Sequence, residues 1–432
     1  IHAGDIEKRK MRADFGISYD ADSLKLIDDL REWDLDVLAV VITRFSEQPA
    51  VNQFKDKLER RQIKVYTHKA IHGYPTDLNE IVSENGYGAN EYIHTSKPIV
   101  VITAPGPGSG KMATCLSQVY HENRRGIGAG YAKFETFPIW NLPLKHPINV
   151  AYEAATADLG DINMVDPYHL EAYGKTSVNY NRDVEIFPVV KRILEKIMGD
   201  KEVYKSPTDM GVNRVGFAIS NDSVCRIASQ QEVIRRYFRY QCEYIMGFTE
   251  RKTVDRIKEI MASMNLDERQ RRVVEPARQA ARAAEEKGKG NANVFVGAAL
   301  ELKDGTLITG KNSPLLHAAS ALILNAIKKL AGIPDKIDLL SRSIIDSIAE
   351  LKKNILTTKQ ISLNLEETLI ALSISATTNP TAQFAMQKLV ELRNCEIHIT
   401  HIPTPGDEAG LRKMGFNLTS DPRFSSNLLW IN

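Results

Sequence analysis

Apolar side chains fall along this chain in two rhythms. The run Asp36-Val37-Leu38-Ala39-Val40-Val41-Ile42-Thr43 is short and rich in β-branched residues, the pattern of a strand buried on both faces. Before it, Leu24, Ile27 and Leu30 recur at helix spacing; after it, a helical stretch around Phe54 and Leu58 leads into Ile63-Lys64-Val65-Tyr66-Thr67. Pro98-Ile99-Val100-Val101-Ile102-Thr103 repeats the strand pattern. Strands alternating with helices in this order predict an α/β fold whose N-terminal sheet is largely parallel.

The rhythm then changes twice. From 126 to 181 the chain is dense in Gly, Pro, Asn and Asp and reads as loops and turns. From Asp222 to Lys287 it reads as almost wholly helical, with Val233, Ile234, Tyr237 and Phe238 forming one stripe. Arg235, Arg236, Arg239, Arg269, Arg271 and Arg272 are interleaved there with acids, which favours a solvated helix face over a nucleic-acid patch. Lys287-Gly288-Lys289-Gly290-Asn291 has linker composition. Beyond it, strand-like runs at 294–302 and 306–310 flank Asp304-Gly305, a hairpin signal. A helix over 316–330 stops near Gly332 and Pro334, strands are predicted near 368–375 and 396–401, and a helix near 408–414. The expected organisation is multi-domain: an α/β domain over 1–221, a central helical subdomain over 222–290, and a second α/β domain over 291–432.

Composition narrows the partners. The 432 residues are 43% hydrophobic and 25% charged, with 56 basic against 54 acidic side chains and a formal charge of +2. That balance fits a globular protein and gives no electrostatic case for nucleic acid or a membrane surface. No apolar run reaches membrane-helix length. Cys115, Cys225, Cys242 and Cys395 are scattered, which suits a reducing cytoplasm and argues against a cysteine-rich zinc site. Ile1-His2-Ala3-Gly4-Asp5 reads like the end of a strand, so targeting is not decided at this end.

The sharpest motif is Ala104-Pro105-Gly106-Pro107-Gly108-Ser109-Gly110-Lys111, placed between a strand-like run and a helix striped by Met112, Cys115, Leu116, Val119 and Tyr120. This P-loop-like turn could cradle phosphate: Gly106, Gly108, Ser109 and Gly110 through the backbone and Lys111 through its ammonium. It departs from the P-loop pattern at Pro105, which stands for the first glycine, and at Met112, which stands for the Mg²⁺-binding hydroxyl. Pro105 and Pro107 have no N–H to offer. The competing reading is a rigid turn with a solvated lysine.

Between 149 and 183, Glu153, Asp158, Asp161, Asp166, His169 and Glu171 concentrate carboxylates and an imidazole. Asp158, Asp161 and His169 are the candidate acid/base residues, and oxygen ligands of this kind suit Mg²⁺ or Mn²⁺. Lys133 and Glu135 form a candidate charge pair, and Arg182 could clamp a phosphate or carboxylate. Each acid taken singly is better explained as a cap or turn residue, and the cluster gains weight only as a group beside the glycine loop.

The last domain resembles the cytidine-deaminase fold: a strand, an Asp-Gly hairpin, then a helix opening on His317-Ala318-Ala319. His317 stands at the position of the first zinc ligand, but Ala319 replaces the proton-shuttling Glu. Thr381 and Phe384, in Asn379-Pro380-Thr381-Ala382-Gln383-Phe384, stand where the two cysteines would be. The resemblance therefore implies the frame without its zinc, and His317 reads as a hydrogen-bonded residue rather than a ligand. His398 and His401 are candidates for a site face, and surface or interface positions suit them equally well.

Across nearly the whole chain, the strings VVITAPGPGSGKMATCLSQVYHE, AKFETFPIWNLPLKHPINVAYEAATADL, DPYHLEAYGKTSVNYNRDVEIFPV, NVFVGAALELKDGTLITGKNSPLL and GLRKMGFNLTSDPRF resemble uncharacterised protein family 0371, a group of bacterial conserved hypothetical proteins. The resemblance implies a bacterial cytoplasmic protein and assigns no catalytic residue. Three functional readings follow: binding of a nucleotide or other phosphorylated metabolite, a non-catalytic scaffold or ligand-sensing homo-oligomer, and, least favoured, zinc-dependent deamination.

Overall fold

The computed structural model describes residues 1–12, 16–134, 137–199 and 203–426. The chain condenses into two compact units, Ile1–Leu144 with Asn163–Ala218, and Lys145–Ile162 with the chain from Ile219 onward.

The chain opens with α1 (Ala3–Glu7), the antiparallel pair β1 (Met11–Arg12) and β2 (Ile17–Ser18), and α2 (Tyr19–Glu32). Then follow β3 (Val40–Thr43), α3 (Pro49–Glu59), β4 (Val65–His68), α4 (Leu78–Ile81) and α5 (Lys111–Arg124). Pro49 starts α3, where its missing N–H costs nothing, and Val51, Phe54 and Leu58 bury one face beside Ile42 and Ile63. β3 and β4 run parallel, Val40 opposite Val65, and His2 bridges Thr43 in the same sense. The parallel sheet is thus narrower than the alternation predicts.

The expected strand at Pro98–Thr103 is not one. That run belongs to no strand, and Ile99 and Val101 stay 80% and 69% exposed. β-branched composition suits a strand, but a ladder also needs a neighbouring edge, and none among the described residues pairs with it. The run over 36–43 is a strand only from Val40 on, and Leu38 is exposed.

The 126–181 stretch, expected as loops, carries α6 (Pro147–Ala155), β5 (Asn163–Val165), α7 (Pro167–Tyr173) and β6 (Val178–Tyr180), with α8 (Asn181–Met198) directly after. Pro147 and Pro167 read as breakers, yet each occupies a first helical position where proline is favoured. Leu116, Val119 and Tyr120 of α5 pack with Phe187, Val190, Ile193 and Leu194 of α8 in the core of the first unit.

The second unit is built on α6, α9 (Asp222–Ile245), α10 (Arg251–Ser263) and α11 (Val274–Glu286), followed by β7 (Gly297–Glu301) and β8 (Leu307–Lys311). Next come α12 (Ala318–Leu330), α13 (Arg342–Glu350), α14 (Leu365–Ala376), α15 (Pro380–Gln387), β9 (Glu396–Ile399), α16 (Pro405–Lys413) and β10 (Asn417–Ser420). The sheet order is β10-β9-β7-β8; β9 and β10 are parallel, and β7 is antiparallel to both its neighbours. The hairpin turns at Asp304-Gly305 as expected, Asp304 Oδ1 accepting from Thr306 N at 2.9 Å. α12 and α14 cover the sheet through Leu322, Ile323, Ile327 and Leu372 against Leu300 and Ile397.

Two expectations need correction here. The segment 368–375 is the interior of helix α14, not a strand; Leu365, Thr368, Ala371, Leu372 and Ser375 are buried at helix spacing. Arg271 is not on a solvated face. It is 1% exposed, paired with Glu396, and donates to Thr419 Oγ1 at 2.9 Å, Ile397 O at 3.1 Å and Asn417 O at 2.6 Å. A guanidinium can be buried because it fans several donors toward several acceptors at once. Arg269 and Arg272 are exposed as expected, whereas Arg235, Arg236 and Arg239 are half-buried and paired with Glu232 or Glu243 about one helical turn away, Arg235 also reaching Glu396 at 3.3 Å. Among the described residues, no helix is long and apolar enough to cross a membrane.

Candidate functional site

The glycine-rich loop is held against the end of β3 and the start of α2. Thr43 Oγ1 donates to Ser109 O at 2.9 Å. Gly110 has φ +88°, and a Cβ there would stand 2.7 Å from the Thr43 side chain. A Cβ on Gly106 would strike the Tyr19 hydroxyl. Both glycines are therefore required by close approach, and Gly110 by its left-handed backbone as well. Inside the loop, the carbonyl of Gly106 accepts from Ser109 Oγ at 2.6 Å and from Lys111 Nζ at 3.0 Å.

What the loop leaves open is its amides. The N–H groups from Gly108 through Ala113 have no acceptor among the described residues. They sit at the N-terminus of the 14-residue α5, whose N-cap, Gly110, has no side chain to satisfy them. Burial pulls the Lys111 ammonium below its ordinary pKa, so an anion beside it would recover solvation the amine has lost. Ser109 is buried with its hydroxyl spent inside the loop.

The candidate acid/base residues are divided. Asp158 and Asp161 lie in the second unit, whereas His169 lies with the glycine loop in the first. Asp161 is fully buried and accepts from Tyr152 Oη at 3.0 Å; Asp158 is exposed, with Tyr240 Oη at 3.4 Å. Glu153 pairs with Arg256 at 2.8 Å. Asp166 caps α7, taking His169 N at 3.1 Å and Thr208 Oγ1 at 2.6 Å. His169 Nδ1 is 3.2 Å from Ser206 Oγ, and its ring lies beside Trp140 and Tyr173. Among the described residues, no three His, Cys, Asp or Glu side chains gather as a metal-binding group. Glu135 lies outside the described residues, and Lys133 pairs instead with Asp183, at the start of α8.

In the second unit, His317 is the N-cap of α12. Its Nδ1–H donates at 2.6 Å to Asp407 Oδ2, on the first turn of α16. Asp407 is 4% exposed and also accepts from Leu365 N at 2.8 Å and Thr404 Oγ1 at 2.8 Å. Thr381 and Phe384 lie on α15, Phe384 half exposed. His398 is fully buried with Nδ1 2.9 Å from Thr419 Oγ1, and His401 Nδ1 lies 3.0 Å from Thr400 Oγ1.

Two family profiles cover the chain: "Domain of unknown function DUF1846, N-terminal" over residues 1–265 and its C-terminal counterpart over 269–430. The chain belongs to the DUF1846 family. UPF0371 proteins of Clostridium botulinum agree: that of strain Alaska E43 / Type E3 is 58% identical over 433 residues, and that of strain Langeland 57% over 432. Each alignment takes in all of this chain and 86% of the relative. The family expected from the long sequence strings is therefore the right one. DUF1846 membership names no chemistry, so the site rests on geometry. Asp407 was the residue that sequence reading passed over. Its signal was local, a carboxylate three positions into the helix that follows Thr404, but its partner lies 90 positions away.

Proposed function

We propose that this protein binds a phosphorylated small molecule on the Ala104–Lys111 loop. One observation carries the reading: the amides from Gly108 to Ala113 have no acceptor among the described residues, at the start of a long helix with Lys111 alongside. An anion seated there takes hydrogen bonds from those amides and the favourable end of the helix dipole. Lys111 Nζ then exchanges the Gly106 carbonyl for a phosphate oxygen, trading a neutral acceptor for a charged one. Met112 and the inward-bonded Ser109 offer no hydroxyl to a Mg²⁺ ion, which favours binding of the phosphate over its transfer. Nucleotides and sugar phosphates are the ligand classes this chemistry admits. The zinc-deaminase reading has less support, since Ala319 stands where the proton-shuttling Glu would be and no thiolate stands at Thr381 or Phe384.

The test is a thermal-shift panel of inorganic phosphate, nucleoside mono- and triphosphates and sugar phosphates on the wild type and Lys111→Ala. At least one ligand should raise the wild-type Tm, and the variant should lose most of that rise. If no phosphate shifts the wild type, or if both proteins shift equally, the loop is not a phosphate site.

A further inference from the structure

The His317–Asp407 pair is a second feature, independent of the phosphate loop and confined to the other unit. Asp407 is buried and fixed from three directions, by Leu365 N, Thr404 Oγ1 and the imidazole. With Nδ1–H tied to that carboxylate, the ring is held in one tautomer and one orientation, and its lone pair is on Nε2. Nε2 has no partner among the described residues, and the side chain is 17% exposed, so water can reach it. The ring also does not cap its own helix: the N–H groups of Ala318, Ala319 and Ser320 have no acceptor among the described residues, although all three residues are buried.

Three helix starts meet around this pair. His317 N donates to Leu363 O at 2.9 Å, just ahead of α14, and Leu365 N, the first residue of α14, donates to Asp407 of α16. A Cβ on Gly406 would stand 2.5 Å from Asn364 Nδ2, so α16 and the α14 cap are in contact. The local field therefore favours negative charge. One anion is already in place as Asp407.

We propose that His317 is a general base for hydrolysis of a carboxylic ester, with Asp407 as its positioning residue. Ser320, the nearest hydroxyl along α12, donates to Leu363 O at 3.1 Å, so water rather than a serine is the nucleophile. Water attacks the carbonyl carbon as Nε2 takes its proton; the C–O bond forms and the carbonyl π pair moves onto oxygen. Collapse of the tetrahedral intermediate restores C=O and breaks the bond to the leaving oxygen. That oxygen takes the proton from Nε2, giving acid and alcohol and returning the imidazole neutral.

The experiment uses the full chain with p-nitrophenyl acetate as probe. The wild type should hydrolyse it without a burst of nitrophenol, and His317→Gln should lower kcat by about 100-fold with little change in KM. Asp407→Asn should lower kcat in the same sense, again with KM nearly unchanged. A wild-type rate no greater than that of a folded His317→Gln overturns the proposal, as does a burst stoichiometric with protein. Should the variants fail to fold, diethyl pyrocarbonate on the wild type decides the matter. Peptide mass should show His317 modified in the native state, and an unmodified His317 beside modified surface histidines refutes a reachable base.

Discussion

His398 illustrates how one buried side chain can set the acid stability of its surroundings. It is fully buried against the Phe238 ring, with centroids 4.8 Å apart, and Nδ1 meets Thr419 Oγ1. Nε2 lies 3.4 Å from Asp421 Oδ1. Arg278 donates to both Asp421 oxygens at 3.1 and 2.6 Å, and Arg271 donates to Thr419. Burial lowers the His398 pKa, and Asp421 only partly counters it. Burial raises the Asp421 carboxyl, but His398 and Arg278 outweigh that and hold it at about 2, below its ordinary 3.8. Below the ordinary histidine pKa of 6.5 the unfolded chain takes a proton that folded His398 refuses, so stability falls as pH drops through that value. Asp421 adds a second loss as pH drops from about 4 toward 2, where the folded carboxylate is finally protonated. Tm measured from pH 8 to pH 3 should decline in this order, and His398→Gln should flatten the part between pH 7 and 5. Parallel curves for the two proteins would show that His398 carries no such linkage.

Elements were legible in the sequence where packing and local signals agreed. Phe54 and Leu58 of α3 and Val233, Ile234 and Phe238 of α9 are buried as their spacing picks out, and Asp304-Gly305 makes its hairpin. They were misread where β-branched composition outweighed a local signal. In α14, Thr368, Ile370 and Ile374 suggest a strand, yet Asn364 and Glu367 form a capping box that starts a helix: Asn364 Oδ1 accepts from Glu367 N at 3.0 Å, and Glu367 Oε2 from Asn364 N at 2.9 Å. Glu367 is further held by Lys352 Nζ at 2.8 Å. The misreading at Pro98–Thr103 has the opposite cause, a strand-like run with no described edge to join. The capping box gives a prediction at this scale. Asn364→Ala removes the acceptor for Glu367 N and should cost about 1 kcal/mol, read by urea denaturation. A loss no greater than that of an exposed control substitution would mean that tertiary packing alone starts α14.

At the scale of the whole molecule, the chain leaves its first unit at Lys145, contributes α6 to the second, returns at Asn163 and leaves again after Ala218. No composition shift announces this excursion. The sequence boundaries near 222 and 290 and the family division between 265 and 269 are all cuts in a linear chain. The packing of α6 is long-range. Val150, Ala154 and Ala157 lie in one core with Val233, Ile234 and Phe238 of α9 and Ile257 of α10, while Tyr240 Oη donates to Ala155 O at 3.1 Å. Polar partners follow the same route, Glu153 with Arg256 and His146 with Asp222, each at 2.8 Å. The phosphate loop of the candidate site was legible as a motif, whereas unit membership was not: Asp158 and Asp161 fall in the second unit and His169, close by in sequence, in the first. A fragment of residues 219–432 should therefore be incomplete, exposing the α9–α10 face that α6 covers. It should melt below the same fragment supplied with a peptide of residues 145–162, and the gap should widen with peptide concentration, as binding to the folded state alone requires. Identical melting with and without peptide would mean that α6 is dispensable to this core, and that the second unit begins at Ile219.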